Sequence, residues 1–271
     1  MSNFSVLMSV YKKTDLSQLE ECLDSINNQT LLPSEIIIIR DGAIEFDLNF
    51  IVSKYDKLKI IIVINEDNLG LPKSLNKGLK HCNNEIIFRM DSDDICHKER
   101  FSIQLNKMLS NERLAVLGTN VELINNNSLP ISNIRKVPVL DTDIRRMIFF
   151  KNPFNHPSVV FRKSIIQSVG GYTDIYLYED WYLWIKLSKL KGVEFENVNE
   201  KLLKYRIRSF SERTGFSIIK AEYKFYYLLF KNKYIKRNVF LVNIFAKFII
   251  RLMPNFFYNI FKHKFDKIDS L

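Results

Sequence analysis

Cysteine is scarce in this chain of 271 residues, which contains only three. Cys22, Cys82 and Cys96 occur at no CxxC or other metal-like spacing. A disulfide framework and a cysteine-ligated zinc site are therefore excluded, and a reducing compartment is expected.

Glycine is also scarce. The eight glycines never form the GxxxxGK or GxGxxG patterns of loops that cradle phosphate with backbone N–H groups. A diphosphate bound by this chain would therefore have to be held in another way, and a metal ion is the expected one.

Long apolar runs are absent. The segment "VFLVNIFAKFIIRL" (239–252) contains charges and would span roughly 21 Å as a helix, against about 30 Å of hydrocarbon. The first residues, "MSNFSVLMSVYKK", have no basic region before the apolar stretch and no small-residue cleavage pattern, so they predict a buried strand rather than a signal peptide. Neither a membrane span nor export is expected.

Positive charge is abundant and unevenly distributed. The formal net charge is +10, and residues 216–271 contain eleven lysines or arginines against three acids. Ten of the 21 phenylalanines lie in the same region. Basic residues interleaved with aromatic ones are typical of helices that bind an anionic membrane surface. The alternative is that these helices pack on the rest of the chain or on a second copy in a homo-oligomer.

Strand-like and helix-like segments alternate through the first two-thirds of the chain. Four apolar segments predict strands: "FSVLMSV", "EIIIIRDGA", "LKIIIVINEDNLG" and "NNEIIFRMD". Asp15 is expected to cap one intervening helix, and Pro72 to open another. A later segment, "LAVLGTNVELI", precedes the polar turn "NNNSLPISN", which predicts a hairpin. This alternation predicts an α/β fold, a mostly parallel sheet flanked by helices.

Polar side chains, most of them acidic, follow the predicted strands at the points where the strands end. Tyr11, Asp41 and the cluster Asp91, Asp93 and Asp94 all lie at such ends, where sheets of this kind bind ligands. Because side chains alternate along an extended chain, Asp91 and Asp93 are expected to share one ion. Asp94 is expected to cap the next helix.

The cluster on its own is also compatible with a solvated aspartate-rich turn. If it binds an ion, two or so carboxylates are too few for a calcium site made of protein ligands alone, and an EF-hand is excluded because Cys96 and Ser102 stand where it requires glycine and glutamate. Mg²⁺ or Mn²⁺ fits better, since one or two carboxylates plus substrate phosphates usually hold these ions. That combination predicts a nucleotide-diphosphate substrate.

Six motifs together resemble family-2 glycosyltransferases of the GT-A fold, particularly bacterial enzymes that build O-antigen or exopolysaccharide repeat units. The motifs, in order, are "SVLMSVYKK", "EIIIIRDGA", "NLGLPKSLNKGL", "RMDSDDI", "NHPSVVFRKSII…GGY" and "YEDWYLWIKL". The resemblance covers residues 1–215, which are expected to form the catalytic domain. Residues 216–271 are then a C-terminal amphipathic helical region that associates with a membrane.

The resemblance implies roles on the donor side of the site. Val10 and Tyr11 would line the pocket for the nucleotide base, and Asp41 would accept a hydrogen bond from the base. Asp91 and Asp93 would form a DxD motif, with Asp91 near the ribose and the metal and Asp93 on the metal.

The resemblance also implies roles on the acceptor side. Asp180 would be the general base that deprotonates the acceptor hydroxyl, and Glu179 would support it or contact the acceptor. His156 and Trp181 would contact the acceptor sugar, whereas Trp184 is expected in the core.

One departure from the family pattern lies after Asp180, the expected general base, in the sequence. Arg208 stands where relatives often have a metal-binding histidine. Arg208, together with Arg206, is expected either to meet the diphosphate directly or to make surface ion pairs.

The implied activity is an inverting transfer of a hexose from a UDP-sugar, UDP-glucose or UDP-galactose, to a sugar on a polyprenyl diphosphate. The product would be β-linked, and the enzyme would act peripherally at the inner face of the bacterial cytoplasmic membrane. A sugar-phosphate nucleotidyltransferase is the alternative, but it needs a glycine-rich loop where this chain has "SVYKKTDLS". The basic net charge is also compatible with a nucleic-acid-binding module, but that function would leave the acidic cluster unexplained. No nucleic-acid partner is expected.

Overall fold

The structure is a computed structural model that describes residues 4–207 and 216–252. Arg208, named above as a candidate ligand of the diphosphate, lies outside the described residues. Most of the described chain forms one nine-stranded sheet with helices packed against it.

The first half of the sheet is parallel. Its elements are β1 (Phe4–Tyr11), α1 (Leu16–Asn27), β2 (Glu35–Asp41), α2 (Leu48–Val52), β3 (Ile60–Asn65), α3 (Leu71–His81) and β4 (Ile86–Arg89). The strands lie in the order β3-β2-β1-β4, and every pairing among them is parallel. Because helices cover both faces, β1 and β2 are apolar along almost their whole length.

The helix boundaries follow from the capping residues. The side chain of Asp15 accepts a hydrogen bond from the backbone N–H of Gln18, which satisfies one of the free donors at the start of α1. Pro72 lies in the first turn of α3, where its missing N–H costs nothing. Both sequence predictions are confirmed.

The second half of the sheet is mixed. Its elements are β5 (Ile95–Cys96), α4 (Arg100–Ser110), β6 (Leu114–Ile124), β7 (Pro130–Arg135), α5 (Asp141–Met147), a 3₁₀ turn (His156–Ser158), β8 (Val160–Arg162), α6 (Lys163–Ser168), α7 (Glu179–Leu187) and β9 (Glu194–Arg206). The order continues β4-β8-β6-β9-β5, and β7 pairs with β6 as the predicted hairpin. Of these pairings only β6–β9 is parallel. The α/β fold class is confirmed, whereas "mostly parallel" describes only β1 to β4.

The described chain divides into two compact units. The boundaries fall after Asp174, before Glu179 and between residues 207 and 216. The sheet lies in the first unit. The second contains residues 175–178 together with α8 (Phe216–Lys231) and α9 (Arg237–Leu252).

Residues 175–178 join the second unit through Tyr178. Its hydroxyl donates to Glu222 at 3.0 Å, and its ring stacks on Phe225 at a centroid distance of 4.8 Å. The sequence placed a single boundary between residues 215 and 216 and did not anticipate this excursion. Among the described helices, none combines the length and the apolar character needed to cross a bilayer.

Candidate functional site

Three carboxylates converge directly after β4. Asp91, Asp93 and Asp94 each offer an oxygen, and these oxygens all lie within 4.8 Å of one another. Asp93 and Asp94 are buried, and Asp91 is half-buried. Burial, followed by the charges of Asp93 and Asp91, raises the pKa of Asp94 well above its ordinary value.

The expectation that Asp94 caps the next helix was wrong. Helix α4 begins at Arg100 with Glu99 at its cap position, five residues after Asp94. Asp94 instead accepts a hydrogen bond from the backbone N–H of Arg206 through Oδ1, at 2.8 Å. Its other oxygen, Oδ2, is buried and has no hydrogen-bond partner within the described part of the chain. Asp94 therefore belongs to the cluster.

The cluster suits a divalent cation. Its possible metal ligands are all carboxylate oxygens, the ligand type that Mg²⁺ and Mn²⁺ prefer. A buried acceptor that lacks a protein donor, such as Oδ2 of Asp94, is costly unless a cation or water satisfies it. The residues present therefore fit the metal that the sequence predicts.

An arginine that sequence reasoning missed lies beside the cluster. Nη2 of Arg89 is 2.5 Å from Oδ1 of Asp91, and the Arg89 side chain is only 2% exposed. Its Nε and Nη1 are buried without an acceptor among the residues that the structure describes. The available signal was a charged residue in the otherwise apolar strand "IIFR", where an unpaired guanidinium would be costly.

A second arginine anchors the acidic loop from behind. The Arg206 guanidinium donates to the carbonyl oxygen of Asp93 at 2.8 Å and to Glu21 Oε2 at 2.6 Å. It also donates to backbone oxygens at Asn125 and Asn126 and to the hydroxyl of Ser128. All three of its nitrogens are therefore occupied by protein acceptors, which conflicts with the expectation that Arg206 meets a diphosphate.

Two further carboxylates open helix α7. Glu179 and Asp180 are both buried in its first turn. Asp180 Oδ2 accepts a hydrogen bond from Asn152 Nδ2 at 2.7 Å, and Oδ1 accepts from the backbone N–H of Trp181 at 2.7 Å. Asn152 is a second partner that the sequence prediction missed.

Both α7 carboxylates have raised pKa values. Burial and the neighbouring Asp180 raise the pKa of Glu179 to about 8. Burial also raises the pKa of Asp180, against the opposing hydrogen bonds from Asn152 and Trp181 and the charge of Arg89. Because Asn152 stabilises the charged form of Asp180, we assign the proton to Glu179 and the negative charge to Asp180.

The two acidic groups belong to one site. The positive charge of Arg89 lowers the pKa of Asp94, Glu179 and Asp180, and the charge of Asp91 raises that of Glu179. Such mutual effects require short separations through a poorly screened interior. The charge of Arg89 therefore acts on both the cluster after β4 and the pair that opens α7.

The histidine predicted to contact the acceptor is tied to a tyrosine. His156 Nε2 lies 3.0 Å from the Tyr172 hydroxyl. Burial, and then the charge of Arg89, hold the pKa of His156 well below its usual range, so the ring is neutral at physiological pH. Tyr172 is fixed in turn by Asn76, whose side-chain amide both donates to and accepts from its backbone.

Trp181 does not present its ring to the site. It is 7% exposed, and its indole N–H donates to the carbonyl oxygen of Ile148 at 2.5 Å. The expectation that Trp181 stacks on an acceptor sugar conflicts with this burial. Trp184 is fully buried, as predicted.

The predicted nucleotide side of the site is built from neighbouring strand ends. Tyr11 and Asp41 are paired across β1 and β2, and Asp41 is paired with Asn65 across β2 and β3. A cavity of about 380 Å³ opens beside this row, lined by Lys12, Asp41–Glu45 and Glu66–Asn68. Its volume is in the range of small-ligand sites.

Two of the predicted base contacts change in the structure. Val10 is 0% exposed, so its side chain faces the core and not a pocket. The Asp41 carboxylate is held by Asn65 Nδ2 and by the backbone N–H groups of Leu69 and Gly70, at 2.8–2.9 Å. Asp41 therefore orders the loop after β3, and a bond to a base would have to use its remaining acceptor capacity.

Residues 5–170 match the sequence profile of glycosyl transferase family 2. The chain is 38% identical over 263 residues to UDP-Gal:alpha-D-GlcNAc-diphosphoundecaprenol beta-1,3-galactosyltransferase of Escherichia coli, with 94% of this chain and 93% of the relative covered. It is 35% identical over 257 residues to the amylovoran biosynthesis glycosyltransferase AmsE of Erwinia amylovora, with 93% and 94% covered.

The fold is also shared with a solved structure. TarS of S. aureus, residues 1–349 in complex with UDP-GlcNAc, superimposes with a TM-score of 0.66 at 19% identity. The superposition covers 93% of this chain and 72% of that one. This agreement confirms the GT-A fold class predicted from the sequence.

Proposed function

The chain belongs to glycosyl transferase family 2 and is a glycosyltransferase, and from this premise we propose that it transfers a hexose from a UDP-sugar to a sugar carried on a polyprenyl diphosphate. The observation that carries the proposal is a buried arginine, Arg89, that pairs with Asp91 of one carboxylate group and whose charge also acts on the second group, Glu179 and Asp180. A donor diphosphate needs one such group through a cation, and an acceptor hydroxyl needs the other as a base.

The donor binds at the carboxyl ends of β1 to β4. Its base and ribose enter the cavity beside Asp41, with Tyr11 at the neighbouring strand end. Asp91 and Asp93 would hold Mn²⁺ or Mg²⁺, and the unpartnered oxygen of Asp94 would be a further candidate ligand. When bound, the ion stabilises the negative charge that develops on the departing diphosphate.

Asp180 acts as the general base. Its carboxylate takes the proton of the acceptor hydroxyl as the hydroxyl oxygen bonds to C1 of the donor sugar and the C1–O bond to the diphosphate breaks. Asn152 orients Asp180, and protonated Glu179 donates a hydrogen bond to the acceptor or to Asp180. A single displacement inverts the anomeric carbon, so an α-linked donor gives a β-glycoside.

The second unit brings the enzyme to its acceptor. The described part of α8 and α9 exposes large apolar side chains, namely Tyr223, Tyr227, Phe230, Leu241, Val242 and Phe245. Exposed basic residues accompany them at Lys220, Lys231, Lys233, Lys236 and Arg237. This composition supports interfacial binding to an anionic leaflet, the cytoplasmic face of the membrane that carries polyprenyl-linked sugars.

A transfer assay with the full chain tests this function. Purified enzyme is incubated with UDP-glucose, UDP-galactose or UDP-GlcNAc, Mn²⁺, and a polyprenyl diphosphate that carries GlcNAc, and the product linkage is read by NMR. We expect a β-linked disaccharide from one donor. Asp180→Asn should lower kcat by about 10²–10⁴ while UDP binding is retained, and Asp93→Asn should lose Mn²⁺-dependent UDP binding. Absence of transfer with every donor, or full activity of both variants, would overturn the proposal.

A further inference from the structure

Arg89 is a buried cation with one acidic partner and spare hydrogen-bonding capacity. It ends β4, where its backbone N–H donates to Val159 at 2.9 Å, so the strand fixes its position. Only Nη2 has an acceptor, Asp91 Oδ1, and Nε and Nη1 are buried without one in the described part of the chain. Buried polar groups are normally satisfied, so an arrangement with this much unused capacity calls for an explanation.

The acidic cluster explains why a cation is needed there. Two carboxylates this close repel each other strongly where water does not screen their charges. Three oxygens within 4.8 Å of one another, two of them from buried residues, would be costly in a protein without metal unless a positive charge lay among them. Arg89 is the buried guanidinium that contacts one of these carboxylates through its side chain.

We propose that Arg89 is a positioning residue that serves as the resident counter-cation of Asp91 and yields this carboxylate when a divalent ion arrives with the donor diphosphate. The inference rests on the proposed function. Because metal and Arg89 compete for Asp91, the metal binds weakly alone and more tightly together with a nucleotide diphosphate, which adds ligands of its own. Coupled metal and nucleotide binding is thereby built into β4.

A second buried arginine supplies a matched control. Arg100 is 0% exposed and donates to Gln104 Oε1, to Cys96 Sγ and to the carbonyl oxygen of Arg89. These acceptors are neutral. Substitution of Arg100 should therefore destabilise the protein by an amount that does not depend on metal.

Thermal unfolding of the full chain separates a counter-cation from a structural arginine. Arg89→Met should lower Tm without metal, and saturating Mn²⁺ with UDP should raise Tm more in this variant than in the wild type, because the ion replaces the missing charge. Arg100→Met should show the same Tm deficit with and without Mn²⁺ and UDP. An equal deficit for Arg89→Met in both conditions would overturn the inference.

Mn²⁺ binding followed by EPR is the second readout, and it requires no knowledge of the sugar or acceptor. In the absence of nucleotide, Arg89→Met should bind Mn²⁺ on the order of tenfold more tightly than the wild type, and added UDP should strengthen binding less. Arg89→Lys should restore wild-type behaviour. Weaker Mn²⁺ binding in Arg89→Met would mean that Arg89 supports the ion instead of competing with it, which refutes the inference.

Further outcomes distinguish poor folding of the variant, failure of the inference alone and failure of the proposed function. If Arg89→Met does not fold, the double variant Arg89→Met/Asp91→Asn should recover folded protein, because removal of the carboxylate removes the need for the cation; no recovery counts against the inference. A wild type that transfers sugar while Arg89→Met binds Mn²⁺ more weakly refutes the inference alone. A wild type that neither transfers sugar nor binds Mn²⁺ refutes the proposed function, and the inference with it.

Discussion

The side-chain amide of Asn152 donates to Asp180 Oδ2 at 2.7 Å. Asn152 lies in the loop after α5 and Asp180 in the first turn of α7, so this bond fixes the proposed base from a separate element. It favours the charged carboxylate, which is the form that accepts a proton from a hydroxyl.

Asn152→Ala should therefore move the pH dependence of catalysis. Without the amide, the pKa of Asp180 rises further, so the acidic limb of the kcat/KM profile should shift to higher pH. We also expect kcat at neutral pH to fall by roughly 10- to 100-fold, because the base is less often ionised and less well oriented. Steady-state rates measured across pH provide the check.

Asn155→Ala is the matched control for this prediction. Asn155 is also buried, but its amide donates to the carbonyl oxygen of Thr119 at 2.9 Å and not to a carboxylate. Its loss should reduce stability and leave the acidic limb in place once rates are corrected for the folded fraction. A limb that stays fixed in Asn152→Ala would show that Asn152 does not tune the base.

Glu179 makes stability depend on pH. Its pKa of about 8 in the folded protein exceeds the ordinary value of 4.5, so the folded state binds more protons than the unfolded state between these pH values. The stabilisation is fully present below about pH 4.5 and is lost as pH rises through 8. Glu179→Gln should flatten this decline in the free energy of unfolding, measured in urea at several pH values. The exposed Glu112→Gln should retain the wild-type slope, and an unchanged slope in Glu179→Gln would contradict the assigned proton.

Arg206 should be among the most sensitive positions in the first unit. Its buried guanidinium joins the acidic loop to Glu21 on α1 and to the turn between β6 and β7. Arg206→Lys keeps the charge but supplies only three donors from one nitrogen, so we expect a loss of about 3–5 kcal/mol in the free energy of unfolding.

An ion pair near the surface that also involves α1 serves as the comparison for Arg206. Lys54 bonds to Glu20 at 2.6 Å, but both side chains are substantially exposed. Lys54→Met should cost less than about 1 kcal/mol by the same urea titration. If the two variants lost similar stability, the acidic loop would not depend on Arg206 for its anchor.

Local sequence patterns predicted the strands and helices of the first unit that carry the proposed donor-binding residues. Apolar runs identified β1 to β4, and Asp15 and Pro72 marked helix starts, because capping and burial act over a few residues. The acidic cluster was also predictable, since three carboxylates after a buried strand need a compensating charge. Val10 was misassigned although the alternation of side chains along β1 places it on the same face as the core residues Val6 and Met8.

Contacts between distant residues set the limit of prediction from the sequence. The role of Arg206 depends on the packing of β9 beside the loop after β4. Arg206 contacts Asp93 in that loop, although the two residues are 113 positions apart in the sequence. The pairing of β4 with β8 likewise involves a strand of three residues, too short to show a period. Asn152 was missed because its partner, Asp180, lies on a later helix and nothing in "FKNPF" encodes that contact.

The membrane role of the second unit can be tested on α9. Leu241 and Phe245 lie one turn apart, and Phe245 is 67% exposed. Insertion of each side chain into the interface is worth about 1.5–3 kcal/mol, so Leu241→Asp/Phe245→Asp should weaken binding to phosphatidylglycerol-containing vesicles at least about tenfold. Co-sedimentation of the full chain provides the measurement, and phosphatidylcholine vesicles or high salt should weaken wild-type binding, since the basic residues contribute.

Phe150→Asp is the control, because Phe150 is 72% exposed but belongs to the first unit. If the double variant bound vesicles as well as the wild type, and instead dissociated a dimer in analytical ultracentrifugation, the apolar side chains of α9 would be covered by a second copy of the chain and not by lipid.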